Sequence, residues 1–131
     1  MTDDLAQLLK SLHLGKIAEI LDEELAQAEK KHTTYTELLA RLLRAQWHAR
    51  QENALAWRIQ QARLPEEWTL ESFPWKRQPK APQRQLRTFG ELDFVGKAEN
   101  IVFIGATGVG KTGLATGILL KALQNGHRGL F

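Results

Sequence analysis

The stretch Gly105-Ala106-Thr107-Gly108-Val109-Gly110-Lys111-Thr112 follows the apolar run Ile101-Val102-Phe103-Ile104 and fits the pattern G-x-x-x-x-G-K-[ST]. This pattern is typical of the phosphate-binding loop (P-loop, or Walker A motif), in which glycine lets main-chain N–H groups approach phosphate oxygens. The flanking sequence predicts a buried parallel strand over residues 101–104 and a helix that begins near Lys111. The sequence therefore predicts a site for the phosphates of a nucleotide.

The residues of this loop have separate expected roles. We predict that ATP is bound by Gly105, Ala106, Thr107, Gly108, Val109, Gly110, Lys111, Thr112 and Gly113. Lys111 is expected to contact the β- and γ-phosphates, and the Thr112 hydroxyl is the expected ligand of Mg²⁺. The alternative is a glycine-rich turn with an exposed lysine. After the loop, Asn125-Gly126 is expected to end the helix, and residues 129–131 to open a second strand.

Composition limits the class of protein. The chain has 131 residues, of which 43% are hydrophobic and 25% charged, as expected for one globular domain or for a small domain plus part of another. No apolar run reaches the roughly 18 residues of a membrane span, and Asp3 and Asp4 stand where a secretory signal needs positive charge. The absence of cysteine excludes disulfides and thiolate metal sites. We expect a cytoplasmic protein without a membrane partner.

The net charge of +3 is unevenly distributed. Residues 1–33 contain 4 basic and 7 acidic residues, residues 34–89 contain 10 and 5, and residues 90–131 contain 4 and 3. A basic middle segment indicates a surface for a polyanion, and non-specific DNA is the expected partner. The candidate DNA contacts are Arg41, Arg44, Lys76, Arg77, Lys80, Arg84 and Arg87. The alternative interpretation is a solvated basic face.

Helix signals divide the first half of the chain into three helices. Thr2 can cap the first, the second is predicted from about Lys16 to Lys31, and Thr34 with Glu37 forms a capping box for a third that runs to Leu64. We predict a helical domain over residues 1–64, a linker rich in proline, aromatic and basic residues with a short helix over 65–98, and the start of a P-loop domain over 99–131. The fold class predicted is an α-helical N-terminal bundle followed by the truncated start of a P-loop α/β (AAA+-like) domain, with one strand, the P-loop, one helix and the start of a second strand.

The aromatic residues of the linker have two interpretations. Trp68, Phe73 and Trp75 lie among basic residues, an arrangement in which aromatic rings can stack on bases while the cations neutralise phosphate. Alternatively, these rings pin the linker onto a neighbouring domain, which is the interpretation we favour.

The end of the sequence lacks the acidic residues that P-loop enzymes use for hydrolysis. These enzymes hold Mg²⁺ and position water with carboxylates on a second strand. No aspartate or glutamate occurs between Lys111 and Phe131. We therefore expect the chain to be the N-terminal part of a longer ATPase, through natural truncation, frameshift or engineering.

Three segments resemble one protein family. They are the N-terminal helical segment, the segment Ala62-Arg63-Leu64-Pro65 that leads to Leu70-Glu71-Ser72-Phe73, and residues 100–112. On these segments the chain resembles the front portion of the IstB-like, DnaC-related group of AAA+ ATPases that act as transposition helper proteins. Gly110-Lys111-Thr112-Gly113-Leu114-Ala115 is similar to the end of that family's loop, although a histidine is more usual where Gly113 stands.

The resemblance implies a function in DNA transposition. It implies a cytoplasmic bacterial protein, encoded beside a transposase, that binds ATP, self-associates through ATPase domains and presents target DNA to the transposase. Two alternatives remain open. One is a DnaC-like helicase loader, and the other is a non-enzymatic DNA-binding or interaction fragment with a relic P-loop.

We predict that the 131-residue chain alone hydrolyses no ATP above background. The physical reason is that residues 111–131 supply no carboxylate to hold Mg²⁺ and position a water molecule. Phosphate release should be measured beside the Lys111→Ala variant. Release that disappears in this variant would contradict the prediction.

Overall fold

The computed structural model describes all residues, Met1–Phe131, and 63% of them are helical. The helices are α1 (Asp3–Ser11), α2 (Gly15–Lys31), α3 (Tyr35–Ala62), a 3-10 turn (Trp75–Arg77), α4 (Gln83–Phe89), α5 (Asp93–Gly96) and α6 (Lys111–Gln124). The chain divides into two compact units, Met1–Ala54 and Leu55–Phe131. None of the helices combines the length and apolar character that crossing a bilayer requires.

The helices of the first unit begin where side-chain caps predict. The Thr2 hydroxyl accepts a hydrogen bond from the Leu5 amide at 3.3 Å, and the Thr34 hydroxyl accepts one from the Glu37 amide at 3.2 Å. Each cap satisfies an amide that has no partner within its own helix. The predicted starts of α1 and α3 are confirmed, and α2 ends at Lys31 as predicted.

A small apolar cluster holds the first unit together. It consists of Leu9, Ile17, Leu21 and Leu42, with Leu14, Ala18, Ile20 and Leu38 packed around them. At about 3.6 residues per turn, Tyr35 and Leu39 share one sector of α3 with Leu38 and Leu42, but Tyr35 is 88% exposed and Leu39 is 58% exposed. The buried stripe of α3 is therefore narrower than its apolar sector.

One long-range hydrogen-bonding group caps α2. Leu14, which precedes this helix, provides no side-chain cap. Instead, the Gln46 Oε1 atom accepts hydrogen bonds from the amides of Lys16 at 3.0 Å and Ile17 at 3.2 Å. The Gln46 side chain comes from α3 and the residue is only 7% exposed. It therefore connects the first turn of α2 to α3 within this unit.

The core of the second unit is formed by α4, α6 and the segment before α4. Its buried members are Leu70, Phe73, Leu86, Leu114 and Ile118, and Trp75, Phe89, Phe94, Ile101 and Phe103 pack against them. The Trp75 Nε1 atom donates a hydrogen bond to the Leu70 carbonyl at 3.1 Å. This confirms the interpretation in which Phe73 and Trp75 are packing residues.

The structure corrects the predicted fold class, because it contains no strand or sheet. The predicted strand over residues 101–104 is irregular, and Val102 and Ile104 are 76% and 91% exposed. A strand exists through hydrogen bonds to a neighbouring strand, and the amides of residues 101–104 donate none. The second predicted strand, residues 129–131, is not one either, since the Phe131 amide donates to the Ala62 carbonyl of α3 at 2.8 Å. The α/β start that we predicted is therefore wrong.

Helix α6 has the limits that the sequence predicts. It begins at Lys111, directly after the glycine-rich loop, and ends before Asn125 and Gly126. The Leu123 carbonyl at the end of the helix accepts a hydrogen bond from the Gly126 amide at 3.2 Å and a second one from the Arg58 Nε atom at 3.0 Å.

Replacing Gln46 tests the long-range cap. Gln46→Ala leaves the buried Ile17 amide without its acceptor, so we expect the free energy of unfolding to fall by about 1–3 kcal/mol. Urea denaturation followed by circular dichroism measures this change. The matched control is Gln51→Ala, at an exposed position on the same helix. Equal stability of the two variants would contradict the role of the cap.

Candidate nucleotide-binding site

The glycine-rich loop turns into α6 through two residues with left-handed backbone angles. Gly108 has a φ of 82° and Gly110 has a φ of 93°. Residues with a side chain rarely adopt such angles, so glycine is needed at both positions. Gly110 directly precedes the first residue of α6. The loop therefore ends at the N-terminus of a 14-residue helix, where the helix dipole favours a bound anion.

The backbone of the loop offers free hydrogen-bond donors. The amides of residues 105–113 donate no hydrogen bond within the chain, and residues 105–108 are exposed. A Cβ added to Gly108 would meet no atom within 4 Å, so the space beside the loop is open. Free amides in an open glycine-rich turn suit an oxyanion such as phosphate. The residues present therefore fit the predicted ligand.

The two side chains that we expect to act on the phosphates and Mg²⁺ begin α6. The Lys111 Nζ atom donates a hydrogen bond to the Gly105 carbonyl, which folds the ammonium group back over the loop. Thr112 is exposed, and its hydroxyl takes part in no hydrogen bond within the chain. The structure thus brings the loop, the ammonium group and a free hydroxyl together.

A cleft of about 630 Å³ opens beside the loop. One wall is formed by residues 107–113, and the other is formed by Pro65, Glu66, Trp68, Phe73, Pro74 and Gln78. The volume is within the range of about 300–1,000 Å³ that holds small-molecule ligands. The sequence assigned only the loop to this site, and no motif indicated that Glu66 and Trp68 lie across from it.

Two aromatic rings pack directly on glycines of the loop and of α6. A Cβ at Gly110 would lie 2.6 Å from the Phe73 Cε2 atom, and a Cβ at Gly113 would lie 3.4 Å from the Trp68 Cδ2 atom. The Trp68 Nε1 atom donates to Glu66 Oε2 at 2.7 Å, which fixes the orientation of the indole. The indole of Trp68 therefore packs against the first turn of α6 beside Gly113.

An ion pair connects the same wall of the cleft to α6. The Lys121 Nζ atom lies 3.6 Å from Glu71 Oε1. A hydrogen bond from its own backbone amide and the nearby Lys121 ammonium both favour the carboxylate, so the pKa of Glu71 lies below its ordinary value. The Glu71 side chain is largely exposed and that of Lys121 is partly exposed, so we expect the pair to contribute little to stability.

The candidate DNA contacts occupy different surroundings. Lys76, Arg77, Lys80, Arg84 and Arg87 are all exposed, on the 3-10 turn, on α4 and between them. The Arg87 guanidinium lies 6.0 Å from the centre of the Trp75 ring. In the first unit Arg44 is exposed, whereas an Arg41 Nη2 atom lies 2.6 Å from Glu24 Oε2 and is already paired. Their contact with DNA stays a prediction.

Proteins similar to this chain come from insertion sequences. The family model for IstB-like ATP-binding proteins matches residues 7–131. A relative from IS21 of Pseudomonas aeruginosa is 38% identical over 128 residues, which cover 98% of this chain and 48% of the relative. A relative from IS5376 of Geobacillus stearothermophilus is 31% identical over 131 residues, which cover 100% and 52%. An IS21-like relative from Bacteroides fragilis is 30% identical over 125 residues, which cover 95% and 63%. The chain spans about half the length of the curated relatives it matches.

Replacing the loop glycines tests the contact between Phe73 and Gly110. Gly108→Ala adds only the strain of a left-handed backbone, about 1–2 kcal/mol, because open space surrounds it. Gly110→Ala adds the same strain and a clash with the Phe73 ring, so we expect a larger loss of unfolding free energy. Chemical denaturation followed by tryptophan fluorescence measures both variants. Phe73→Leu should reduce the difference in unfolding free energy between Gly110→Ala and Gly108→Ala. If it does not, the contact between Phe73 and Gly110 is not the cause of that difference.

Proposed function

Because the chain belongs to the family of IstB-like ATP-binding proteins, we propose that it binds ATP at residues 105–113 and acts as an ATP-binding helper in DNA transposition. The name of each relative described above refers to ATP binding and to an insertion sequence. The family supports ATP as the ligand, and the glycine-rich loop supports residues 105–113 as its proposed site.

The observation that carries the proposal is the set of free amides at the start of α6. Residues 105–113 present N–H groups without partners, and Gly108 and Gly110 keep the turn open to a ligand. In this arrangement the phosphates of ATP accept hydrogen bonds from the loop, and the Lys111 ammonium exchanges the Gly105 carbonyl for a phosphate oxygen. The base and sugar occupy the cleft between the loop and residues 65–78, where Trp68 offers an aromatic face.

Magnesium fits the same site through one residue of this chain. Thr112 supplies a neutral hydroxyl oxygen at the first turn of α6, and oxygen is the ligand type that Mg²⁺ prefers. Mg²⁺ usually keeps several waters and is shared with the nucleotide phosphates, so a single protein oxygen is sufficient to orient it. Mg²⁺ neutralises phosphate charge when bound, while the role of Thr112 is to position it.

The proposed role in transposition requires DNA and protein partners. We assign non-specific DNA binding to five exposed cations of one short segment, Lys76, Arg77, Lys80, Arg84 and Arg87. None of them forms an ion pair, although the charge of Arg87 contributes to the lowered pKa of the nearby Glu71 carboxylate. Arg44 is a further candidate, and Arg41 must first leave Glu24. A transposase and further copies of the protein are the proposed protein partners. The insertion-sequence relatives favour a transposase over a replicative helicase.

Removing the Lys111 ammonium group tests nucleotide binding. A hydrogen bond between a charged donor and a phosphate contributes about 1.5–3 kcal/mol, so Lys111→Ala should weaken Mg·ATP binding by about 10- to 100-fold. Fluorescence titration with a labelled ATP analogue, or calorimetry, measures the affinity.

The control for this experiment is Lys97→Ala, which removes an exposed lysine of the same unit outside the cleft. We expect its affinity for Mg·ATP to equal that of the unmodified chain. Undiminished binding by Lys111→Ala would disprove the proposed site, and equal weakening in both variants would point to a general charge effect.

A further inference from the structure

The first unit contains a cleft that the sequence did not indicate. Its volume is about 630 Å³, and it lies between the turn that joins α1 to α2 and the middle of α3. The residues with polar side chains that line it include Lys10, His13, Lys16, Glu19, Arg50 and Asn53. All of these residues belong to the unit Met1–Ala54. The cleft is therefore separate from the site at residues 105–113.

Positive charge dominates this cleft. Lys10, Lys16 and Arg50 line it, and the single carboxylate among the lining residues is that of Glu19. The Lys16 Nζ atom lies 3.0 Å from Glu19 Oε1, so this carboxylate is already paired. Lys10 and Arg50 have no ion-pair partner in the chain. An anion that enters the cleft therefore meets two cations that no carboxylate neutralises.

Contacts within the chain orient hydrogen-bond donors at this cleft. The Arg50 Nη2 atom donates to the His13 carbonyl at 3.3 Å, which holds the guanidinium at the α1–α2 turn and leaves most of its donors free. The Oε1 atom of the buried Gln46 accepts from two amides of α2, whereas its Nε2 atom donates no hydrogen bond within the chain. The Gln46 Nε2 atom is not among the fully buried unpartnered atoms, so it is a further neutral donor that remains accessible at the cleft.

The donors favour a phosphodiester over a nucleobase. Two lysines, one arginine and the Gln46 amide group can all act as hydrogen-bond donors, and the imidazole of His13 is the only aromatic ring that lines the cleft. Stacking on bases requires aromatic faces, whereas cations and neutral donors bind the phosphates of the backbone. We propose that this cleft binds the phosphodiester backbone of duplex DNA. The choice of DNA among polyanions rests on the proposed function in transposition.

The cleft lies in the part of the chain whose net charge is acidic. Residues 1–33 carry more acidic than basic residues, so their total charge gives no indication of a site for an anion. The fold separates these charges, because it brings Lys10 and Lys16 beside Arg50 of α3 while Asp3, Asp4 and Asp22 do not line the cleft. The first unit thus carries a proposed DNA site of its own, independent of the one proposed for residues 76–87.

The experiment compares two charge-matched double variants in the full chain. K10Q/R50Q removes both unpaired cations of the cleft, and the control K30Q/K31Q removes two exposed lysines from the C-terminal end of α2. Affinity for a short fluorescent DNA duplex is measured by anisotropy at several salt concentrations. Each lost phosphate contact lowers the slope of log affinity against log salt by about 0.9. We expect K10Q/R50Q to reduce the slope by about 1–2, with a roughly ten-fold loss of affinity at low salt.

Folding and charge are separated by two single variants. Arg50→Lys keeps the cation and should keep the salt slope, whereas Asn53→Asp adds a negative charge at an exposed residue of the cleft and should weaken binding. Circular dichroism checks that each variant keeps its helix content. If K10Q/R50Q does not fold, Asn53→Asp alone decides the test, and unchanged DNA affinity in that variant overturns the proposal.

Several outcomes would overturn the assignment. One is a K10Q/R50Q variant whose log affinity depends on log salt with the same slope as in the unmodified chain, and another is an equal loss of DNA affinity in K30Q/K31Q. The others are tighter cleft-dependent binding of duplex RNA than of duplex DNA, and displacement of the DNA duplex by inorganic phosphate at constant ionic strength. If the unmodified chain binds no DNA, the DNA part of the proposed function fails as well. If it binds DNA and only K80Q/R84Q weakens binding, this inference fails and the proposed function stands.

Discussion

The second unit depends on a contact that only glycine permits. The ring of Phe73 lies so close to Gly110 that a Cβ would stand 2.6 Å from the Phe73 Cε2 atom. Phe73 also belongs to the buried cluster with Leu114 and Ile118 of α6. One side chain therefore joins the glycine-rich loop to the hydrophobic core. Because Phe73 touches both the loop and the core, we expect a change in the loop conformation to alter the packing around α6.

The sequence predicted the helices well because their signals are local. A hydroxyl at Thr2 or Thr34 and a glycine at residue 126 mark helix ends within a few residues of where they act. The strands were predicted wrongly because an apolar run such as residues 101–104 becomes a strand only through a partner elsewhere in the structure. Apolar character shows that Ile101 and Phe103 pack against the core, but it does not supply the missing backbone hydrogen bonds.

The sequence predicted only part of the candidate site for the same reason. The loop is contiguous, so its glycines, Lys111 and Thr112 can be recognised from their spacing. The opposite wall of the cleft is formed by residues 65–78, and nothing in their spacing places Trp68 beside Gly113. The basic cleft of the first unit was missed because its cations, Lys10, Lys16 and Arg50, come from three different helices. Contacts between segments distant in sequence decide all of these features.

The Gln46 cap gives the first unit a built-in probe of local opening. Amides in the first turn of a helix normally exchange their protons with water quickly, because no helix carbonyl accepts them. The amides of Lys16 and Ile17 are instead bonded to a side chain of another helix. Their exchange requires the separation of α2 from α3 or the loss of the Gln46 rotamer. The exchange rates of these two adjacent amide protons therefore measure how often α2 separates from α3. This local opening can be followed at denaturant concentrations well below those that unfold the unit.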